Sequence, residues 1–155
     1  MADSANRRVV VLCVGNPERG DDAAGRAVAR ALGASLGDVD IIEEDGEATR
    51  LLTRLDGADA AYIVDACVSG ADLGHIHRFE VGEDPLPRAD FGASTPGFGL
   101  AEALELARAL GALPSRCVIY AIEGGIFDVG AAMSPPVTKA ADIVADRLRA
   151  EILGG

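Results

Sequence analysis

Hydrophobic positions along this chain fall into two alternating patterns, short unbroken apolar runs and longer stretches with three-four spacing. Val9 to Val14 is unbroken, which predicts a first strand buried on both faces. A helix beginning at Asp21 or Asp22 follows, with Ala24, Ala27, Val28, Ala31 and Leu32 on its apolar face and Gly33 as its stop. Val39 to Ile42 predicts a short second strand, Asp45-Gly46 a turn, and Glu47 to Leu55 a helix carrying Leu51, Leu52 and Leu55. Ala60 to Asp65 predicts the third strand, given β character by Tyr62, Ile63 and Val64, and it ends on a carboxylate. Gly74 to Val81 alternates, setting His75, His77, Phe79 and Val81 on one face and Ile76, Arg78 and Glu80 on the other, as an edge strand does.

Glu83 to Gly97 holds Pro85, Pro87 and Pro96 and few periodic apolar positions, which predicts a long loop of the kind that often serves function. Leu100, Ala103, Leu104, Ala107 and Leu110 form a helical stripe. Cys117 to Ile122 is a last buried strand, ended by Gly124-Gly125. Ser134-Pro135 supplies an N-cap and a first-turn proline for a final helix, with Val137, Ala140, Ala141, Val144, Leu148 and Ile152 facing inward. Strands alternating with helices from end to end predict a three-layer α/β/α sandwich around a central, mostly parallel sheet of about five strands. The 155 residues suit one domain, residues 1–155, with a substantial core.

Charge narrows the partners. A formal net charge of −11 leaves no basic surface to neutralise phosphates, so nucleic acid and anionic membranes are excluded as partners and a basic protein or peptide segment is favoured. No apolar run approaches the roughly 18 residues of a membrane span. The six apolar residues after Arg8 are too few for a secretory signal, which places the protein in the cytoplasm. Cys13, Cys67 and Cys117 lie in or just after three separate apolar runs with no C-x-x-C pair, so they read as buried thiols, and their spacing does not suit a structural zinc site.

The chemistry lies where strands hand over to helices. In open α/β sheets the ligand crevice lies beyond the carboxyl ends of the strands, which gathers the turn after the first strand and the end of the third. Asp22 and Asp65 are expected to meet there. Asp22 also has a purely structural reading, as an acid in the first turn of a helix of which Asp21 is the N-cap. Asp65 closes an apolar run and is expected to be buried, where a carboxylate needs partners. Two acids from different strands suit a hard or borderline cation, or an acid and base pair. A nucleophilic triad needs a histidine base, and His75 and His77 are placed on an edge strand away from the crevice. Cys67 and Ser69 stand near Asp65 with only carboxylates as bases. The loop Gly15-Asn16-Pro17-Glu18-Arg19-Gly20 matches neither the dinucleotide fingerprint nor a P-loop, and Glu18, Asp21 and Asp22 would repel a pyrophosphate.

Leu-Cys-Val-Gly-Asn at 12–16, Gly-Asp-Asp at 20–22 and Gly25 resemble the opening of the hydrogenase maturation proteases, peptidases that finish nickel-iron hydrogenase large subunits. Asp45-Gly46, Ile63-Val64-Asp65-Ala66, the Gly74 strand, Gly99-Leu100 with its helix and Ser134-Pro135-Pro136-Val137 extend the resemblance over about residues 8 to 150. The resemblance implies a cytoplasmic endopeptidase that removes the C-terminal extension of a nickel-loaded large-subunit precursor. It also implies Asp22 and Asp65 as catalytic and metal-contacting residues, with nickel supplied by the client. The family's third ligand is a histidine in the loop before the third helix, and Pro96 stands about there in this chain. That departure leaves a second expectation open, a non-catalytic chaperone or metal-checking protein on the same fold. A small-molecule hydrolase or nucleotide-binding module is a third.

Overall fold

The computed structural model describes residues 7–82, 90–91 and 100–154. The five predicted strands and a two-residue strand inside the stretch expected to be loop form one sheet: β1 (Val9–Val14), β2 (Asp40–Glu44), β3 (Ala60–Val68), β4 (Ile76–Glu80), the unpredicted β5 (Asp90–Phe91) and β6 (Arg116–Glu123). The helices are α1 (Ala24–Leu32), α2 (Ala48–Leu55), α3 (Leu100–Leu110) and α4 (Pro135–Gly154). The main order across the sheet is β2-β1-β3-β6-β4. β1, β2, β3 and β6 are mutually parallel, while β4 runs antiparallel on β6 and the two-residue β5 pairs antiparallel with the end of β3.

Two apolar layers cover the sheet. Even residues of β3 and β6, with Val11 and Cys13 of β1, pack under α1 and α4. Odd residues of β3 and β6, with Val10, Leu12 and Val14, pack under α2 and α3. This doubly wound, mostly parallel α/β arrangement is the predicted three-layer sandwich. The continuous burial of β1, β3 and β6 follows from helices on both faces. From β1 the chain crosses by α1 to β2 on one side, then returns by α2 to β3 on the other. The switch point of the sheet therefore lies between β1 and β3.

Three local expectations are corrected. The first helix does not start at Asp21 or Asp22, because Gly20–Ala23 forms a separate 3-10 turn ahead of α1. Glu47 is the N-cap of α2 rather than its first residue, accepting hydrogen bonds from the Thr49 and Arg50 amides. The third strand runs past Asp65 to Val68, since β6 pairs with it as far as Cys67 and β5 pairs with Cys67 and Val68. Asp65 thus sits inside the strand, not at its end. The long loop predicted over Glu83 to Gly97 lies outside the described residues apart from the β5 backbone.

Gly25 fixes how closely α1 approaches the sheet. A Cβ there would collide with the Val14 carbonyl oxygen and lie 2.8 Å from the Val14 amide nitrogen and 3.1 Å from the Val64 carbonyl oxygen. Only glycine lets the helix start rest on the backbone of both β1 and β3.

Candidate active site

The switch point brings both predicted carboxylates together. Gly15 turns the chain out of β1 with a φ of 140°, and a Cβ at that position would collide with the Asp22 carbonyl oxygen. The turn so formed folds Asp22 back under its own loop, where its Oδ2 accepts a hydrogen bond from the Asn16 amide at 3.0 Å. Asp22 is 1% exposed and Asp65 is fully buried. Asp65 Oδ1 accepts from the Ala66 amide at 2.8 Å, whereas its Oδ2 has no hydrogen-bond partner among the described residues. Burial pushes the Asp65 carboxyl well above the ordinary carboxylate value, the Asp22 charge pushes it further, and the Ala66 amide only partly opposes them. Two buried carboxylates, the charge of Asp22 raising the proton affinity of Asp65 and Asp65 keeping an orphan oxygen among the described residues, are the donor set a hard or borderline divalent cation would satisfy.

Asp21 has a different task. Its Oδ2 accepts from the Gly125 amide (2.9 Å), the Ile126 amide (3.0 Å) and the Ser134 hydroxyl (2.9 Å), and its Oδ1 from the Ser134 amide (2.7 Å). Burial alone would raise its carboxyl, but these hydrogen bonds outweigh burial and hold it below the ordinary value. The expected cap on its own helix is therefore replaced by a clamp on the segment between β6 and α4. The Asp21 amide adds a bond to the Ile126 carbonyl at 2.7 Å, and Gly130 N reaches Glu18 O at the same distance. Asp22 is in this way held on a turn braced from the far end of the chain.

Sequence reasoning missed Glu123, which looked like the residue just beyond the last strand. It is the final residue of β6 and 2% exposed. Its Oε1 accepts from Ser69 Oγ (2.6 Å) and Cys67 Sγ (3.6 Å) and lies 3.1 Å from His77 Nε2, while Oε2 accepts from the Ser69 (2.7 Å) and Gly70 (3.2 Å) amides. Burial raises the Glu123 carboxyl, but these contacts, led by Ser69, more than reverse it and bring it down to about 2. His77 is thus not isolated on its edge strand, because β4 lies directly beside β6. His75 is exposed, its ring centroid 4.6 Å from that of His77.

Ser69, His77 and Glu123 nevertheless do not make a nucleophilic triad. A relay needs the carboxylate on one imidazole nitrogen and the hydroxyl on the other. Here Nε2 faces both groups, at 3.1 Å from Glu123 and 3.4 Å from Ser69, and the serine proton is already committed to Glu123. Cys67 is no thiolate either, since burial and then the Glu123 charge push its thiol up. All three cysteines are buried and free, as expected. Pro96, at the place of the family's histidine, lies outside the described residues.

Solved structures share this architecture. The hydrogenase maturating endopeptidase HybD from E. coli superposes with a TM-score of 0.76 at 20% identity, covering 95% of this chain and 93% of that one. The [NiFe] hydrogenase maturation protease HybD from Thermococcus kodakarensis gives 0.71 at 24% identity, with 92% and 99% covered. HycI of the same organism gives 0.69 at 23%, with 98% and 96% covered. At these identities the likeness establishes the fold. No curated protein sequence matches the chain. The family model described as hydrogenase maturation protease, HycI, matches residues 25–151, a stretch that includes Asp65 and Glu123 and begins just after Asp22. The chain, matched by that model over most of its length, belongs to the hydrogenase maturation protease family and is a peptidase.

Proposed function

We propose that this chain removes the C-terminal extension from a nickel-loaded hydrogenase large-subunit precursor, and that Asp22 and Asp65 contact the nickel already installed in that client. The observation that carries the reading is Asp65 Oδ2, fully buried without a hydrogen-bond partner among the described residues, in the field of the Asp22 carboxylate. A polar atom left so in a native interior calls for an explanation, and an incoming cation supplies one.

In this reading nickel is part of the substrate. A divalent ion in contact with the scissile segment supplies Lewis-acid polarisation of the carbonyl, which removes the need for a protein nucleophile. The chain itself binds and orients. The Asn16 amide fixes Asp22 Oδ2, the Ala66 amide fixes Asp65 Oδ1, and Asp65 Oδ2 is left without a donor among the described residues. Burial of both carboxylates excludes water from the contact and strengthens it. The net charge of −11 favours approach of a basic client tail. No helix among the described residues is long and apolar enough to cross a membrane.

The test is incubation of the purified chain with a nickel-loaded large-subunit precursor, followed by intact mass. The wild type is expected to release the C-terminal extension, and Asp22→Asn and Asp65→Asn to stay folded and leave the precursor intact. Normal processing by either variant removes that carboxylate from the reaction.

A further inference from the structure

Three strands deliver one side chain each to a single point on the α2/α3 face of the sheet. Cys67 of β3 pairs with Glu123 of β6, and Ala121, one alternation earlier on β6, pairs with His77 of β4. Ligand atoms of Cys67, His77 and Glu123 all lie within 4.8 Å of one another.

We propose that Cys67 Sγ, His77 Nε2 and Glu123 Oε1 bind a borderline-soft divalent ion of the zinc class, held by the protein itself rather than by Asp22 and Asp65. The donor chemistry selects the ion. A sulfur, an imidazole and one carboxylate suit zinc, whereas magnesium and calcium take oxygen ligands. Tetrahedral zinc with ordinary bond lengths separates a sulfur and an oxygen ligand by about 3.5 Å and a nitrogen and an oxygen ligand by about 3.3 Å. The observed separations from Glu123 Oε1 are 3.6 Å to Cys67 Sγ and 3.1 Å to His77 Nε2. The remaining edge, Cys67 to His77, spans no more than 4.8 Å and closes to about 3.5 Å on binding.

Proton balance is simple. On binding, the Cys67 thiol proton leaves to solvent, and His77 offers Nε2 with its proton on Nδ1. The Ser69 and Gly70 amides hold Glu123 Oε2 at 2.7 and 3.2 Å, which aims Oε1 at the site as outer-shell partners of a metal do. The His77 side chain is 21% exposed and Ser69 is exposed, so an ion can reach the site from solvent. The spacing rule that set zinc aside in the sequence concerns ligands paired closely along the chain. Here each ligand comes from a different strand, and strand register replaces sequence proximity.

The experiment is titration of the chelator-stripped full chain with cobalt(II), then with zinc. A thiolate-to-cobalt charge-transfer band is expected to saturate at a single equivalent and to disappear when zinc is added. The band is expected to be lost in Cys67→Ala and in His77→Ala, and to persist in Asp22→Asn, Asp65→Asn, Cys13→Ala and Cys117→Ala. His77 is half-buried, so its variant carries the test even where Cys67→Ala does not fold. Absence of a charge-transfer band in the wild type, or its survival in His77→Ala, overturns the proposal. Because the readout needs no precursor, its outcome is independent of whether Asp22 and Asp65 support processing.

Discussion

Replacing Asp65 with asparagine should make the metal-free protein more stable, and the gain should grow with pH. The carboxyl is fully buried, and burial followed by the Asp22 charge raises it well above the ordinary aspartate value. A group that holds its proton more tightly in the fold than in the unfolded chain leaves stability intact below about pH 4. It then erodes stability as pH rises toward the folded pKa, because the unfolded chain releases the proton first. Between the unfolded pKa and pH 7 this linkage caps the loss at about 4 kcal/mol. The orphan oxygen alone accounts for about 1–3 kcal/mol. Asparagine keeps an acceptor for the Ala66 amide, carries no charge and sets an N–H donor in the field of Asp22, so a gain of about 1–3 kcal/mol is expected at pH 7. Urea unfolding of chelator-treated wild type and Asp65→Asn from pH 4 to 7 measures it, with the variant's midpoint rising by about 1 M at pH 7. The difference should vanish near pH 4. A variant less stable than wild type at pH 7, or an advantage that does not change with pH, refutes the account of Asp65 as a strained carboxylate.

The neighbouring acid should behave in the opposite way. Asp21→Ala strips the acceptor from the Gly125, Ile126 and Ser134 amides and the Ser134 hydroxyl, so a loss of about 3–5 kcal/mol is expected in the same urea assay. A loss under about 1 kcal/mol would mean that water replaces the carboxylate at no cost. Gly25→Ala forces a methyl into the Val14 and Val64 backbone, and a fall of about 1–3 kcal/mol is expected by thermal unfolding. A neutral or stabilising alanine would show that α1 can lift away from the sheet freely.

Apolar periodicity made most of the fold legible, because the helices and the central strands are defined by what they bury. The β1 run and the Ser134-Pro135 start of α4 stand where the sequence puts them. The convergence of Asp22 and Asp65 was legible for a related reason, since the switch point follows from the order of strands. What escaped notice depends on partners distant in the chain. Asp65 reads as a strand end because nothing local reveals that β6 and β5 continue the ladder to Val68. Asp21 reads as a local cap because its partners lie 104 to 113 residues away. Glu123 reads as a boundary because a charged residue after an apolar run is usually solvated. Its burial is made tolerable by Ser69, Gly70, Cys67 and His77, which arrive from two other stretches of chain.

The clamp from Asp21 to Ser134 also sets a timetable. During synthesis the amino-terminal acidic turn emerges first, yet the amides and hydroxyl that hydrogen-bond Asp21 belong to residues 125, 126 and 134. Until those residues leave the ribosome, the turn that carries Asp22 lacks its brace, and closing so long a loop must await the rest of the sheet. A nascent chain therefore exposes the sequence of its acidic turn long before that turn is braced. The brace is completed late, with the start of the last helix, and a product terminated before residue 134 would display the acidic turn without the bracing that shapes it.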